Sequence, residues 1–208
     1  MIHVNFYPFI KRLFDLIFSF MGLLVLWPFF LLIAFLIHLD SKGPAFYRGT
    51  RVGKDGNLFN MLKFRTMFLN ADKLGPASTS NDDPRITRVG HFLRKYKIDE
   101  WPQLINVLKG EMSFVGPRPE VRKFVDLFTD EEKKILKVPP GITDWASLWN
   151  TDEGAVLAGS QDPDKDYFEK IRPEKIRLQL KYINERSLRN DLSIIWRTLM
   201  KIFLREGR

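Results

Sequence analysis

Between Leu16 and Ile37 the chain carries no charged residue, and so long an apolar run has few ways of folding. As a helix rising about 1.5 Å per residue it can cross the roughly 30 Å hydrocarbon core of a bilayer. Buried in a soluble protein, it would need a jacket of other elements that 208 residues can hardly supply. A cleaved leader is the other alternative, but the run is longer than a usual leader core. Ile37-His38-Leu39-Asp40 also lacks a small-residue cleavage pattern. Residues 1–40 are therefore read as a membrane helix, and 41–208 as one compact domain whose apolar content (45% of the whole chain) suffices for a single core.

Pro28 interrupts this run near its middle. A proline inside a helix removes one hydrogen bond and crowds the preceding turn, so a kink is expected between Trp27 and Phe29. Lys11 and Arg12 precede the segment, and Lys42, Arg48, Arg51 and Lys54 follow it. Positive charge at both ends suits a re-entrant helix that enters and leaves on the cytoplasmic face, whereas a simple span usually has one biased flank. A kinked transmembrane anchor is the alternative, because membrane helices tolerate proline.

The net charge of +8 is uneven: residues 41–128 and 169–208 are basic, while 129–168 are acidic. A basic surface can face nucleic acid, anionic lipid or a nucleotide diphosphate, and the apolar N-terminus favours the last two. The chain has no cysteine, which excludes disulfides, thiolate metal sites and cysteine nucleophiles. Its three histidines, His3, His38 and His91, are too scattered for a histidine-rich zinc site.

Beyond Gly43-Pro44, the segment from Ala45 to Val52 reads as a strand, Gly53-Lys54-Asp55-Gly56 as a turn, and Asn57 to Phe64 as the returning strand of a β-hairpin. Alternation would put Lys63 and Arg65 on one face, where both could address one phosphate group. Solvated strand charges would give the same pattern. Residues Gly75 to Arg85 mix Gly, Pro, Ser, Thr, Asn and Asp and read as a mobile loop.

A helix is expected from about Gly90, and a second from about Asp99 to Lys109, stopped by Gly110. Asp99 and Glu100 are adjacent carboxylates in a neighbourhood rich in Arg and Lys, including Arg85, Arg88, Arg94, Lys95, Lys97, Lys109, Arg118 and Arg122. Acids at a helix start are ordinary capping residues; acids among so many cations also suit an anionic, phosphate-bearing substrate. The helix N-terminus would keep both ionised, and consecutive helical residues diverge by about 100°, so one could attack while the other holds a metal. In Gly116-Pro117-Arg118-Pro119-Glu120, two prolines stiffen the backbone around Arg118, which suits a fixed phosphate clamp or a rigid connector.

Taken in order, the Pro-interrupted N-terminus after Lys11-Arg12-Leu13-Phe14-Asp15, then Gly-Pro-Ala-Phe-Tyr, Lys-Phe-Arg-Thr-Met, Arg85-Ile-Thr-Arg-Val-Gly90, Asp-Glu-Trp-Pro-Gln, the stretch Asn106 to Glu120, and Pro140-Gly-Ile-Thr143 resemble the bacterial sugar transferase family, the monotopic phosphoglycosyl transferases. The resemblance runs from Lys11 to about Thr198. It implies an α+β fold: a small, mostly helical catalytic domain on the cytoplasmic face of the bacterial inner membrane, held in one leaflet by the re-entrant helix broken at Pro28. It further implies transfer of a sugar 1-phosphate from a nucleotide diphosphate sugar, usually a UDP-sugar, to polyprenyl phosphate such as undecaprenyl phosphate. The nucleoside monophosphate would be released in the first membrane step of a surface glycan. Asp99 matches the nucleophile that forms a phosphosugar-aspartate, and Glu100 the residue that helps bind Mg2+. Lys63, Arg65, Arg88, Arg94 and Arg118 match residues that hold phosphates. A homodimer is compatible with the resemblance; the identity of the sugar is not implied.

The chain departs from the commonest pattern at Trp101, where Leu is usual, at His91, where Arg is common, and at Trp27, where a small polar residue often precedes the proline. Many members have Gly where Asp144 lies, and this region is expected to contact the nucleotide or sugar. The acidic stretch Asp152 to Asp166 reads as a solvated loop and short helix, with a second metal site as a weaker alternative. Helices are expected from Pro173 to about Leu188 and from Leu192 to Arg205. In the second, Ile195, Trp196, Leu199, Ile202 and Phe203 share a face, with Arg197, Lys201 and Arg205 opposite or at its rim. That stripe suits a membrane-interfacial helix or packing on the domain. Two other classes fit the same residues: a magnesium-dependent pyrophosphohydrolase using the acid pair on water, and a non-catalytic module binding anionic lipid.

Overall fold

The computed structural model describes residues 6–205, without the side chains of Asp72 and of Phe203 to Arg205. Helix α1 runs unbroken from Tyr7 to Asp40, with Pro8 in its first turn and Pro28 in its interior. Among the described residues it is the one helix long and apolar enough to cross a membrane. Most of its large side chains are exposed, among them Phe18, Val25, Trp27, Leu31 and Phe35, while only Asp15, Ser19, Ile33 and Ile37 are buried. An apolar helix left bare over most of its surface is suited to lipid.

The hairpin forms as the sequence leads one to expect. Strand β1 (Phe46–Val52) pairs antiparallel with β2 (Leu58–Phe64), from Phe46 opposite Phe64 to Val52 opposite Leu58. The turn places Asp55 and Gly56 at positive φ, which glycine tolerates without cost and aspartate more readily than most residues.

Helix α2 (Arg88–Lys95) is capped by Thr87, whose hydroxyl accepts from the Gly90 N–H at 3.0 Å. Gly90 is required here, because a Cβ would lie 2.1 Å from the Thr66 carbonyl oxygen. A single 3-10 turn, Ile98–Glu100, carries the acid pair and is followed by α3 (Gln103–Lys109), which ends at Gly110 with φ 86°. The acids thus precede the α-helix rather than forming its first turn. Lys97 at φ 57° tightens the chain just before them, and Pro102 follows.

A second pair of strands was not legible in the sequence. β3 (Ser113–Val115) and β4 (Gly141–Thr143) are parallel, with Ser113 opposite Gly141 and Val115 opposite Thr143. Between them lie α4 (Arg122–Val125) and a 3-10 stretch, Glu132–Lys137. Short helices α5 (Trp145–Trp149), α6 (Glu153–Val156) and α7 (Pro163–Asp166) lead through a π turn into α8 (Arg172–Glu185), and α9 (Leu188–Arg205) closes the fold. The result is the expected α+β, mostly helical architecture.

Helix α1 is fastened to the domain at both ends. Near its start, the Lys11 ammonium and the Tyr7 hydroxyl donate to Asp191 of α9 at 2.7 and 2.9 Å. Arg12 donates to the Val107 and Leu108 carbonyls at the end of α3, and Asp15 accepts from the Phe114 N–H of β3 at 3.0 Å. Near its finish, Ile33 and Ile37 pack with Ala45, Phe64 and Leu93, and Asp40 accepts from the Val89 N–H of α2 at 2.9 Å. Burying each large aliphatic or aromatic side chain here contributes about 1.5–3 kcal/mol.

Helix α9 packs on the domain through part of its apolar surface and leaves another part bare. Ile194 is fully buried with Val115 and Tyr182, and Ile195 packs against the same cluster, whereas Trp196, Leu199 and Ile202 are exposed. Arg197 lies over the Trp145 ring and Lys201 donates to the Leu148 carbonyl. The side chains of Phe203 and Arg205, which belong to the predicted faces, lie outside the described residues.

Candidate active site

Asp99 and Glu100 are held from both sides. Ile98 and Trp101, their immediate neighbours, pack against the cluster that includes Ile33 and Ile37 of α1. The position of the acids is thereby tied to the membrane helix. Both line a broad cleft whose lining also includes Lys63, Arg94, Arg118 and Lys175, together with Phe14, Phe18 and Leu26 of α1.

Glu100 is the electrostatic centre. It accepts from Lys63 Nζ at 2.8 Å, from Arg118 Nη1 at 3.2 Å, and from Arg118 Nη2. Burial opposes its ionisation, but Arg118 and Lys63 outweigh burial and hold the carboxyl well below the usual carboxylate range. Arg118 is correspondingly held charged, chiefly by Glu100. Lys63 also lies 3.4 Å from Asp99 Oδ2, so one ammonium bridges both acids. Asp99 is only 5% exposed, yet its Oδ1 has no hydrogen-bond donor among the described residues. A buried carboxylate oxygen without a donor is costly, of order 1–3 kcal/mol, and such groups persist where function needs them.

The other predicted cations are placed differently from one another. Arg94 of α2 borders the cleft, donates from Nε to the Thr66 hydroxyl at 2.9 Å, and feels the charge of Asp99. Arg65 does not join Lys63 in addressing a common group. Its guanidinium turns to the Ser41 and Lys42 carbonyls at 2.7 and 2.6 Å, satisfying backbone groups left open where α1 ends. Arg88 stands exposed at the start of α2 and is not among the residues that line the cleft.

Magnesium needs few protein ligands when a diphosphate supplies the rest, typically one or two carboxylates plus water. Glu100, with the donor-free Asp99 Oδ1 in the preceding residue, would suit so sparse a donor set, and no group of three or more metal-ligating side chains occurs among the described residues. In the acidic stretch no such group occurs either. Its acids are engaged instead: Asp152 caps α6 and accepts from Asn81, Asp164 accepts from the Ser78 N–H and Lys123, and Glu153 pairs with Lys175. Through these contacts, and through the Asn81 N–H donating to the Gly154 carbonyl, the predicted loop 75–85 lies clasped against α6 and α7.

A buried network behind Arg118 escaped the sequence reading. Lys175 is 4% exposed and pairs with Glu120 at 2.7 Å and Glu153 at 3.0 Å, while the Tyr167 hydroxyl donates to Glu120 at 2.7 Å. Burial works against the Lys175 charge, but the two carboxylates outweigh it and keep the ammonium protonated. A signal existed: Lys175 falls on the same stripe as Ile176, Gln179 and Tyr182, the buried face of α8.

A carboxylate pair among cations, fixed against a bare apolar helix, defines a centre suited to phosphate-bearing substrates at a lipid surface. The bacterial sugar transferase family model matches residues 6–205, and the chain belongs to that family. It is 38% identical, over 94% of its length, to a UDP-N-acetylgalactosamine-undecaprenyl-phosphate N-acetylgalactosaminephosphotransferase of Aeromonas hydrophila, covering 44% of that relative. It is 35% identical to an undecaprenyl-phosphate galactose phosphotransferase of Salmonella typhimurium, over 96% of this chain and 41% of the relative. An exopolysaccharide production protein of Sinorhizobium fredii is 34% identical over 95% of this chain and 87% of its own length. The chain thus spans less than half of the first two relatives and most of the third.

Proposed function

We propose that this protein transfers a sugar 1-phosphate from a nucleotide diphosphate sugar, most simply a UDP-sugar, to a polyprenyl phosphate. The observation that carries the reading is the Asp99 carboxylate, buried with one oxygen free of donors beside a cation-paired Glu100. In the first step an Asp99 oxygen attacks the β-phosphorus. The new O–P bond forms as the bond to the bridging oxygen breaks, and UMP departs with that electron pair. In the second step an oxygen of polyprenyl phosphate attacks the same phosphorus and releases Asp99, giving polyprenyl-diphospho-sugar. Two displacements at one phosphorus let one site serve two dissimilar substrates. Glu100 would help hold Mg2+, which would supply charge neutralisation on the diphosphate when bound. Lys63, Arg94 and Arg118 hold phosphate oxygens; Arg65 steadies the end of α1, and Arg88 would meet anionic headgroups from outside the cleft.

The acceptor reaches Asp99 from the bilayer, so the anchor must set its depth. Tyr7, Lys11 and Arg12 at one end of α1 and Asp40 at the other bind the same domain, which supports a helix that enters and leaves one leaflet, with Pro28 at its turning point. The exposed Trp196, Leu199 and Ile202 of α9 would lie in the interface on the cytoplasmic side. Cysteines substituted at Asn5 and at Ser80 should then be labelled by an impermeant reagent from the same side of sealed vesicles. Labelling from opposite sides would replace this arrangement with a spanning anchor.

Membranes containing the protein should release UMP from a UDP-sugar beyond about one equivalent per protein only when polyprenyl phosphate and magnesium are both present. Continued turnover without the lipid would make the protein a pyrophosphohydrolase, and no release across a broad nucleotide-sugar panel would leave a lipid-binding module.

A further inference from the structure

Asp144, in the region expected to contact the nucleotide or sugar, is fully buried and hydrogen-bonded to the Pro117-Arg118-Pro119 turn. Its Oδ1 accepts from the Ser147 N–H and hydroxyl, each at 2.7 Å, which caps α5. Its Oδ2 accepts from the Arg118 N–H at 3.3 Å and from Gln179 Nε2 at 3.3 Å, and the same Gln179 nitrogen lies 3.5 Å from the Arg118 carbonyl oxygen. Pro117 and Pro119 have no N–H, so the Arg118 amide is the one backbone donor in the turn. That donor is spent on Asp144.

The turn is pressed close to β4: Gly141 donates to the Pro117 carbonyl at 3.0 Å, and a Cβ on Gly141 would meet the Gly116 nitrogen at 2.1 Å. With the backbone gripped on both sides, the Arg118 side chain is aimed at Glu100. We infer that Asp144 is a positioning residue that fixes Arg118 through its backbone N–H and so sets the geometry of the Glu100 pair. Its kinetic test rests on the proposed transfer reaction; its structural test does not.

Asp144→Asn separates the two duties of the carboxylate. An asparagine caps a helix about as well as aspartate, so its oxygen serves Ser147, but its amide nitrogen then confronts two donors, Arg118 N–H and Gln179 Nε2. In the full-length protein in nanodiscs, hydrogen exchange of a peptide spanning 117–119 reports the Arg118 amide alone. It should quicken roughly tenfold or more in Asp144→Asn, and stay unchanged in Ser147→Ala, which weakens only the cap. Transfer with the donor and lipid acceptor accepted by the unaltered protein should fall roughly ten- to hundredfold in Asp144→Asn. The double variant with Arg118→Ala should be no slower than Arg118→Ala alone, because the first residue acts through the second.

Multiplying losses, or an equal exchange effect in Ser147→Ala, would overturn the inference. If Asp144→Asn does not fold, Gln179→Leu removes the other support of the turn and is judged by the same two measurements. If the unaltered protein transfers nothing, the transfer reading fails, and the exchange measurement still decides whether Asp144 holds Arg118.

Discussion

Asp99→Asn should lower sugar-phosphate transfer at least about a thousandfold while leaving the melting temperature within a few degrees of the original. The substitution keeps shape and volume but removes the carboxylate oxygen that no neighbour hydrogen-bonds. A charge held in a buried site with an open oxygen is a destabilising feature retained for chemistry, so its removal should be tolerated by the fold. The lost contact is the 3.4 Å approach of Lys63, which keeps its shorter bond to Glu100. Intact mass measured after incubation with the nucleotide sugar alone should show a sugar-phosphate adduct on the unaltered protein and none on the variant. An adduct on another residue, or a variant that still transfers, would remove Asp99 from the role of nucleophile.

Glu100→Gln should act on both activity and stability. Glu100 is the shared counter-ion of Lys63 and Arg118, and its side chain is 12% exposed. Deleting one member of a buried ion pair leaves the others uncompensated; with Arg118 27% exposed to water, the cost should be about 2–3 kcal/mol. The pH dependence has a definite sign. Because the carboxyl is held below its ordinary value of 4.5 in the folded state, its contribution is fully present above that value. It is lost as pH falls through the lower folded-state pKa, so the stability gap between the original and Glu100→Gln should close in strong acid and stay constant near neutrality. Denaturant titrations at pH 7 and below 4.5 measure it; a gap that widens on acidification would contradict the assigned ion pair. Loading of Asp99 should slow roughly a hundredfold or more and require higher magnesium, since the carboxylate proposed to help hold the metal is neutralised.

Much of the site was legible because its chemistry is local. Asp99 and Glu100 are adjacent, and Arg118 lies between two prolines, so residue type and neighbour order already suggested an acid pair and a stiff clamp. Lys63 was legible from its strand, since a hairpin edge projects side chains in a known direction. Arg65 was misread for a reason outside its strand. Alternation placed it beside Lys63, but the carbonyls exposed where α1 ends stand within reach and bind its guanidinium. The Lys175–Glu120–Glu153 network joins three elements distant in sequence, and nothing short of their packing could have paired them.

The apolar run and its proline, the hairpin with its turn, the presence of two C-terminal helices, and the family motifs were determined by the sequence alone. Each depends on periodicity, on backbone restriction or on neighbouring residue types, which a linear chain displays. The tertiary structure decided which groups meet: both ends of α1 on one domain, Glu100 between Lys63 and Arg118, and Asp144 turned inward beneath Arg118. Those contacts depend on burial and on distances between segments far apart in the chain. A charge or an N–H is worth little in water and much once water is excluded around it.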